Sequence, residues 1–265
     1  MNELMELVYN KIGATGGLAV AYIIVSILIV IMGIVCLVLE IRVWLMYSDA
    51  NKIGISSRMS GMDAARYVLD QAGLNHVKVR KAGFIREALF GNYYNVATKT
   101  IYLRSWLGRI DDRQTVTAMA LGVQKAAIAR MCEEGDQQAI IRGRLSLIGI
   151  FGPILFIPVV LFGALIDMLL MDSITAISYV SMALGAVLLI AGFIVTMLNI
   201  PVEKRANKLA LKMMREYGLA NGEELQVMKG VYDAYILSYI AQFILEVLRI
   251  VQWILEVAIK LKKED

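Results

Sequence analysis

The chain has 265 residues, 58% of them hydrophobic, and 27 basic and 23 acidic residues give it a net charge of +4. Soluble domains contain about 45–50% apolar residues, so this composition predicts a membrane protein with room for one modest polar domain. The basic residues are interspersed with acids, which excludes a nucleic-acid-binding tract. The distant Cys36 and Cys132 form neither a close-spaced metal pair nor a disulfide framework.

Residues 1–47 are predicted to form an N-terminal segment followed by the first membrane helix. Residues 1–13 have apolar side chains at helical spacing, and residues 18–39 carry no charge over a length that can cross about 30 Å of hydrocarbon. No basic region or small-residue cleavage site precedes this run, so we expect an anchor rather than a removed signal. Trp44 and Tyr47 are suited to the membrane interface.

Residues 48–144 are predicted to be a small α+β domain. Ser60, with Asp63 three residues later, is typical of a helix N-terminus, and Gly73 is expected to end that helix. Alternating or β-prone residues predict strands over 76–81 and 99–103, with a turn over 92–95. Residues 115–131 are predicted to form a buried helix.

The remaining chain predicts further membrane helices. Residues 145–199 contain two apolar spans, 145–166 and 174–198, and Pro201 is expected to begin a separate basic helix over 201–217 within the segment 200–230. In the last segment, 231–265, polar residues recur every three or four positions, which predicts a helix with one polar stripe that either spans the membrane or lies at its interface. The predicted fold class is an α-helical membrane protein with three to four membrane helices and a small polar domain.

Lysine and arginine predict the orientation. Most of them lie in residues 42–144 and 201–230, and the loop 167–173 has none. The positive-inside rule therefore places the polar domain and the basic helix in the cytoplasm. Lys260, Lys262 and Lys263 conflict with a full fourth crossing, and an interfacial last helix would remove the conflict.

Three segments resemble a known family. Residues 59–70, MSGMDAARYVLD, resemble the pattern M-T-G-x-x-x-A-R-x-I-L-D. Residues 93–95 followed by Ile101 and Leu103 resemble H-Y-D-P and V-x-L, and residues 200–203, IPVE, resemble L-P-V-E. Their order and spacing resemble the YugP-like family of bacterial membrane zinc metallopeptidases over residues 45–260. The resemblance implies a zincin-like polar domain and a bacterial plasma membrane.

The resemblance breaks down at the zinc motif. A zincin helix places two histidines four residues apart with a glutamate after the first. The gap-free alignment puts Leu121 and Lys125 at the histidine positions and Gly122 at the glutamate position. Glu203 matches the third ligand, but one carboxylate cannot hold a catalytic zinc, which takes about three protein ligands.

From this departure we predict no peptidase activity, no metal, no cofactor and no small-molecule substrate. His76 is expected to be a surface or edge residue rather than a ligand, and Cys132 is not expected to replace one. Lys125 and Glu203 are predicted to form a buried ion pair in place of zinc. The alternative is that Glu203 begins a solvated helix.

The predicted function is a catalytically inactive family member that serves as a structural or regulatory subunit, with a membrane protein or a second copy as its partner in the lipid bilayer. A metallopeptidase with an atypical or subunit-shared site is one alternative. A transporter or channel component is another, and the candidates for it are the charged residues in or near the spans: Asp167, Asp233, Glu246 and Arg249. The basic helix 201–217 could bind anionic lipid or lie on its own domain.

Overall fold

A computed structural model describes residues 17–106, 109–170 and 176–264. The predicted start at residues 1–13 therefore lies outside the described residues. The chain divides into two compact units, one made of residues up to 43 together with those from 237 onward, and the other of residues 44–236. Helix α1 (Gly17–Ala50) and helix α8 (Gly222–Glu264) contribute to both units.

In the first unit, α1 and α8 are antiparallel and joined by polar side chains. Tyr22 donates to Glu256 at 3.1 Å, and Ser238 donates to Glu40 at 2.5 Å. The two contacts are 18 residues apart on each helix, which is about 27 Å of rise and close to the thickness of the hydrocarbon core. The predicted polar stripe of the last helix therefore faces α1, and α8 follows α1 over the length of a membrane crossing.

The predicted, mostly helical fold with three candidate membrane helices is confirmed. Helix α1, helix α7 (Ala176–Glu216) and residues 222–256 of α8 are long and apolar enough to cross a membrane. In the second unit, helix α6 (Ser146–Leu170) packs along α7 as a hairpin, in which Gly149 lies against Val195 and Gly152 against the carbonyl of Leu188. Small residues thus let the two helix backbones approach closely.

The predicted helix boundary at Pro201 is wrong, because α7 continues through this proline to Glu216. Proline in a helix interior costs about 3 kcal/mol through a lost hydrogen bond and a steric clash. The residues that follow it, Val202, Glu203 and Ala206, are fully or almost fully buried in the polar part of the unit. We attribute the continuous helix to this tertiary packing.

The polar part of the second unit contains a three-stranded mixed sheet and four helices among its described residues. Strand β3 (Thr100–Leu103) is buried at the centre, with β1 (Lys78–Lys81) parallel on one side and β2 (Tyr93–Asn95) antiparallel on the other. The helices are α2 (Gly61–Gln71), α3 (Phe84–Phe90), α4 (Val116–Glu133) and α5 (Gln137–Arg144).

Two details differ from the sequence prediction. The segment 92–95 contains strand β2 rather than only a turn, because Tyr94 pairs with Ile101 of the buried strand. Helix α3 was not predicted, since its large apolar residues point outward and give no core-facing pattern.

Local signals at α2 and α4 are confirmed. The Ser60 hydroxyl accepts from the backbone N–H of Asp63 at 3.1 Å and donates to its carboxylate at 2.7 Å. Gly73 follows α2 with a φ of 73°, a left-handed conformation that glycine adopts without strain. Helix α4 begins after Thr115, whose side chain caps it, and nearly all of its residues are buried.

A pair of glycines sets the distance between α2 and α4. A Cβ on Gly122 would overlap the carbonyl oxygen of Gly61, and a Cβ on Gly61 would overlap the carbonyls of Ile110 and Ala118. The glycine in the interior of α4 therefore has a packing role that offsets its poor helix propensity.

We expect Gly122→Ala to lower the free energy of unfolding by about 1–3 kcal/mol, because the added methyl group must push two backbones apart. Gly222→Ala is the matched control, since a Cβ there would meet nothing within 4 Å. Thermal unfolding of both variants in the same detergent measures the effect. Equal melting temperatures for the two would contradict the close contact.

Candidate functional site

The centre of α4 carries two polar side chains into a buried environment. Gln124 is 5% exposed and Lys125 is 8% exposed, although both lie in the middle of a helix made mostly of small apolar residues. Buried polar groups of this kind require partners. The partners come from α5 and from the polar end of α7.

The Glu203 carboxylate, 1% exposed, is the acceptor at the centre of this cluster. Gln124 Nε2 donates to Glu203 Oε2 at 2.7 Å, and Arg142 donates to Oε1 at 2.6 Å. The Lys125 ammonium lies 3.5 Å from the same Oε1. We call Gln124, Lys125, Arg142, Glu203 and Asn207 the Glu203 network.

The structure thus brings Lys125 and Glu203 together and adds a closer cation that the sequence analysis missed. Arg142 also donates to Asn199 at 2.7 Å, and Gln124 also donates to Asn207 at 2.6 Å. Asn199, Glu203 and Asn207 are four residues apart, so they share one face of α7. This polar row in the sequence is the signal that could have identified the acceptor side of the network.

Burial dominates the electrostatics of Lys125. Removal from water lowers the pKa of Lys125 below its usual value, and the Glu203 carboxylate only partly opposes this effect. Arg142 lowers the pKa further because it is a second positive charge nearby. Arg142, at the shorter distance, is therefore the main counter-charge of Glu203.

The lowered pKa predicts a pH-dependent stability. Between the folded pKa of Lys125 and about 10.4, its usual value, the unfolded chain holds a proton that the folded chain has released. Stability therefore rises with pH in this window. We expect the melting temperature of the wild type to rise relative to that of Lys125→Met as the pH increases towards about 10.4, measured by thermal unfolding in detergent. A difference that does not change with pH would contradict the buried ammonium.

The other two residues aligned with the zinc motif, Leu121 and Gly122, have apolar or backbone neighbours. Gly122 faces Gly61 of α2, so no larger side chain fits at that position in this fold. Leu121 is 7% exposed and belongs to the apolar core. Of the predicted motif positions, only Lys125 contacts Glu203.

A second polar cluster lies at the C-terminal end of α4, around Glu133. Its carboxylate lies 2.8 Å from His76 Nε2 and accepts from Tyr94 at 3.0 Å and from Lys99 at 2.7 Å. His76 is half-exposed, as predicted, but it has a carboxylate partner. Burial opposes ionisation of Glu133, yet the hydrogen bonds from Lys99, His76 and Tyr94 prevail and lower its pKa.

The Cys132 side chain is buried next to this cluster. Burial raises the pKa of its thiol to about 11, so at neutral pH it is protonated. A protonated thiol is a poor metal ligand and nucleophile. Among the described residues, no group of three or more histidine, cysteine, aspartate and glutamate side chains is arranged to hold a metal ion.

Comparison with protein families assigns the chain. The sequence model of the family described as "putative neutral zinc metallopeptidase" matches residues 23–258, which is most of the chain. The chain belongs to this family. The resemblance inferred from the three segments is thereby confirmed. No curated protein and no solved structure matches the sequence.

The zinc that the name of the metallopeptidase family implies does not fit the Glu203 network. Zinc ligands must offer lone pairs, whereas a lysine ammonium and an arginine guanidinium have only N–H donors. Both positive groups are within hydrogen-bonding distance of the one carboxylate, at 3.5 Å and 2.6 Å. A divalent cation there would displace them and meet their repulsion.

Proposed function

We propose that this chain is a catalytically inactive member of the metallopeptidase family, in which the Glu203 network takes the structural place of the zinc site. The observation that carries the proposal is that Glu203 is buried and receives hydrogen bonds from Gln124, Lys125 and Arg142. By the sequence resemblance, this carboxylate corresponds to the third zinc ligand of the family, and here it pairs with the cationic side chains of Lys125 and Arg142.

The contacts of Glu203 favour a different alignment of the lost zinc motif on α4. This alignment differs from the gap-free one described above. Successive residues of a helix are about 100° apart, so two histidines at positions i and i+4 share a face, and the glutamate at i+1 lies beside it. Glu203 lies between the side chains of Gln124 and Lys125. We therefore assign Gln124 and Ile128 to the histidine positions and Lys125 to the glutamate position.

In this alignment, the chain has neither the two histidine ligands nor the general base that zinc peptidase chemistry requires. An amide and an isoleucine cannot replace two imidazole ligands, and an ammonium cannot serve as the general base that a glutamate provides. The chain has a single histidine, His76, so no pair of histidines exists within it. That histidine lies at Glu133, in the second cluster.

As a subunit, the protein would act through its fold in the bilayer rather than through catalysis. The polar stripe of α8 bonds to α1, and the small residues of α6 and α7 pack inside the hairpin, so both features serve contacts within the chain. The support for a role without catalysis comes from the Glu203 network.

No described contact favours the transporter alternative. Asp167, a candidate intramembrane charge, accepts a hydrogen bond at 2.9 Å from the backbone N–H of Ser178. Ser178 lies in the first turn of α7, so this carboxylate caps a helix N-terminus. A structural role accounts for its burial.

The test is the zinc content and peptidase activity of the full chain, purified in detergent without chelator. We expect no stoichiometric zinc by mass spectrometry of the metal and no cleavage of a fluorogenic protein substrate with or without added zinc. Native mass spectrometry of the same sample reports whether the chain is held in a complex. One zinc per chain together with cleavage would overturn the proposal and favour an atypical or subunit-shared site.

A further inference from the structure

An exposed apolar patch lies on the polar part of the second unit. Phe84, Ile85 and Leu89 of α3 are 62%, 72% and 44% exposed, and Trp106, after β3, is 69% exposed. The Phe84 and Trp106 rings contact each other edge to face, with their centroids 6.1 Å apart. Large apolar side chains grouped in this way on a polar domain typically mark an interaction surface. We call these four residues the aromatic patch.

The backbone beneath the patch is fixed by a buried carboxylate. Glu87, 1% exposed, accepts hydrogen bonds from the backbone N–H groups of Ser105 at 3.0 Å and Trp106 at 2.9 Å. The Ser105 hydroxyl donates to the carbonyl of Ala82 at 2.9 Å. These bonds tie the segment after β3 to α3. The outward direction of Phe84, Ile85 and Trp106 is therefore part of the folded structure.

Basic side chains follow the face of the sheet next to α3. The guanidinium of Arg86 lies 4.9 Å above the Tyr102 ring, and the exposed Arg80 of β1 pairs in register with Tyr102. Lys78, also exposed, is two residues before Arg80 and so shares its face of the strand. The nearby acids are already engaged: Glu87 is buried as described, Asp111 lies 2.9 Å from Lys81, and Asp112 pairs with Arg109.

The elements that carry the patch are connected to the apolar hairpin of the same unit through β2 and α5. The ring of Phe90, at the end of α3, lies 5.0 Å from that of Tyr93 in the edge strand β2. Val96, which follows β2, packs against Gly143 of α5, and α6 of the hairpin begins three residues later at Ser146. The elements that carry the patch thus lead directly to helices that are suited to a bilayer.

We propose that the aromatic patch docks on the surface of an anionic lipid bilayer. Tryptophan and phenylalanine are preferred at the membrane interface, where an apolar face meets headgroups. Lys78, Arg80 and Arg86 provide the positive charges that attract acidic lipid headgroups. This role is independent of whether the Glu203 network replaces zinc.

Site-specific fluorescence in proteoliposomes tests the proposal with the full chain. The background variant carries Cys36→Ala and Cys132→Ala, and a single cysteine at Ile85→Cys carries an environment-sensitive label. The matched control places the label at Gln71→Cys, an exposed position on α2. Vesicles contain phosphatidylcholine alone or with phosphatidylglycerol, and a fraction of the lipid carries a nitroxide near the headgroup.

We expect the nitroxide lipid to quench about half or more of the emission from position 85 in anionic vesicles, with less quenching in neutral vesicles and little at position 71. Equal quenching at positions 85 and 71, or no quenching at 85, would overturn the docking. Equal quenching at position 85 in neutral and anionic vesicles would overturn the proposed attraction between the basic side chains and acidic lipid headgroups. Efficient disulfide formation between two unlabelled Ile85→Cys chains would assign the patch to a second copy instead.

Discussion

Replacing Glu203 by glutamine is expected to lower the free energy of unfolding by about 3–5 kcal/mol, the cost of leaving buried charge without its partner. The substitution keeps the shape of the side chain but removes the only carboxylate in the Glu203 network. Lys125 and Arg142 would then be left as two neighbouring positive charges in a buried site. Thermal unfolding in detergent should show a melting temperature lower by about 6–20 °C.

Variants of the same network separate the ion pairs from general packing. Lys125→Met should cost less than Glu203→Gln, because Arg142 and Gln124 still pair with the carboxylate and the buried ammonium is removed. A triple variant, Lys125→Met with Arg142→Met and Glu203→Leu, should recover most of the loss, since apolar groups can replace a buried charge cluster.

The matched control for the charge change is Glu216→Gln. Glu216 lies on the same helix, half-exposed, 3.6 Å from Lys212, and such surface pairs contribute under about 1 kcal/mol. If Glu203→Gln melted at the same temperature as Glu216→Gln, the network would have no structural role, and its proposed replacement of zinc would fail with it.

Local chemistry was enough to predict the elements that lead to the site. Ser60 with Asp63, and the run after Thr115, carry their own capping and periodicity signals, so α2 and α4 follow from short stretches of sequence. The continuation of α7 through Pro201 depends instead on how Val202 and Ala206 pack in three dimensions. Helix propensity alone predicts a helix boundary at Pro201.

The sequence predicts only part of the Glu203 network, because the rest depends on the tertiary arrangement. The gap-free alignment predicts the pairing of Lys125 with Glu203 because it brings both residues to the lost zinc site. Arg142 reaches Glu203 from a third helix, 61 residues away in sequence. Nothing near Arg142 in the chain marks it as a partner, so only the tertiary arrangement shows that it is the closer cation.

Rebuilding a metal site would decide which register of α4 is correct. One variant carries Gln124→His, Lys125→Glu and Ile128→His, the other Leu121→His, Gly122→Glu and Lys125→His. Each also carries Arg142→Leu, which frees the Glu203 carboxylate. We expect the first to bind about one zinc per chain, because two histidines and Glu203 supply the three protein ligands that a catalytic zinc takes.

The second variant is expected not to fold, since a glutamate at position 122 would overlap the backbone of Gly61. Zinc is measured by mass spectrometry of the metal, and a rise in melting temperature on adding zinc gives an independent readout, because a ligand that binds only the folded state stabilises it. Zinc binding by the second variant alone would restore the gap-free alignment. If the first variant folded but bound no zinc, and the second bound none either, Glu203 would not lie at the third-ligand position. The Glu203 network would then be a structural feature unrelated to the lost metal site.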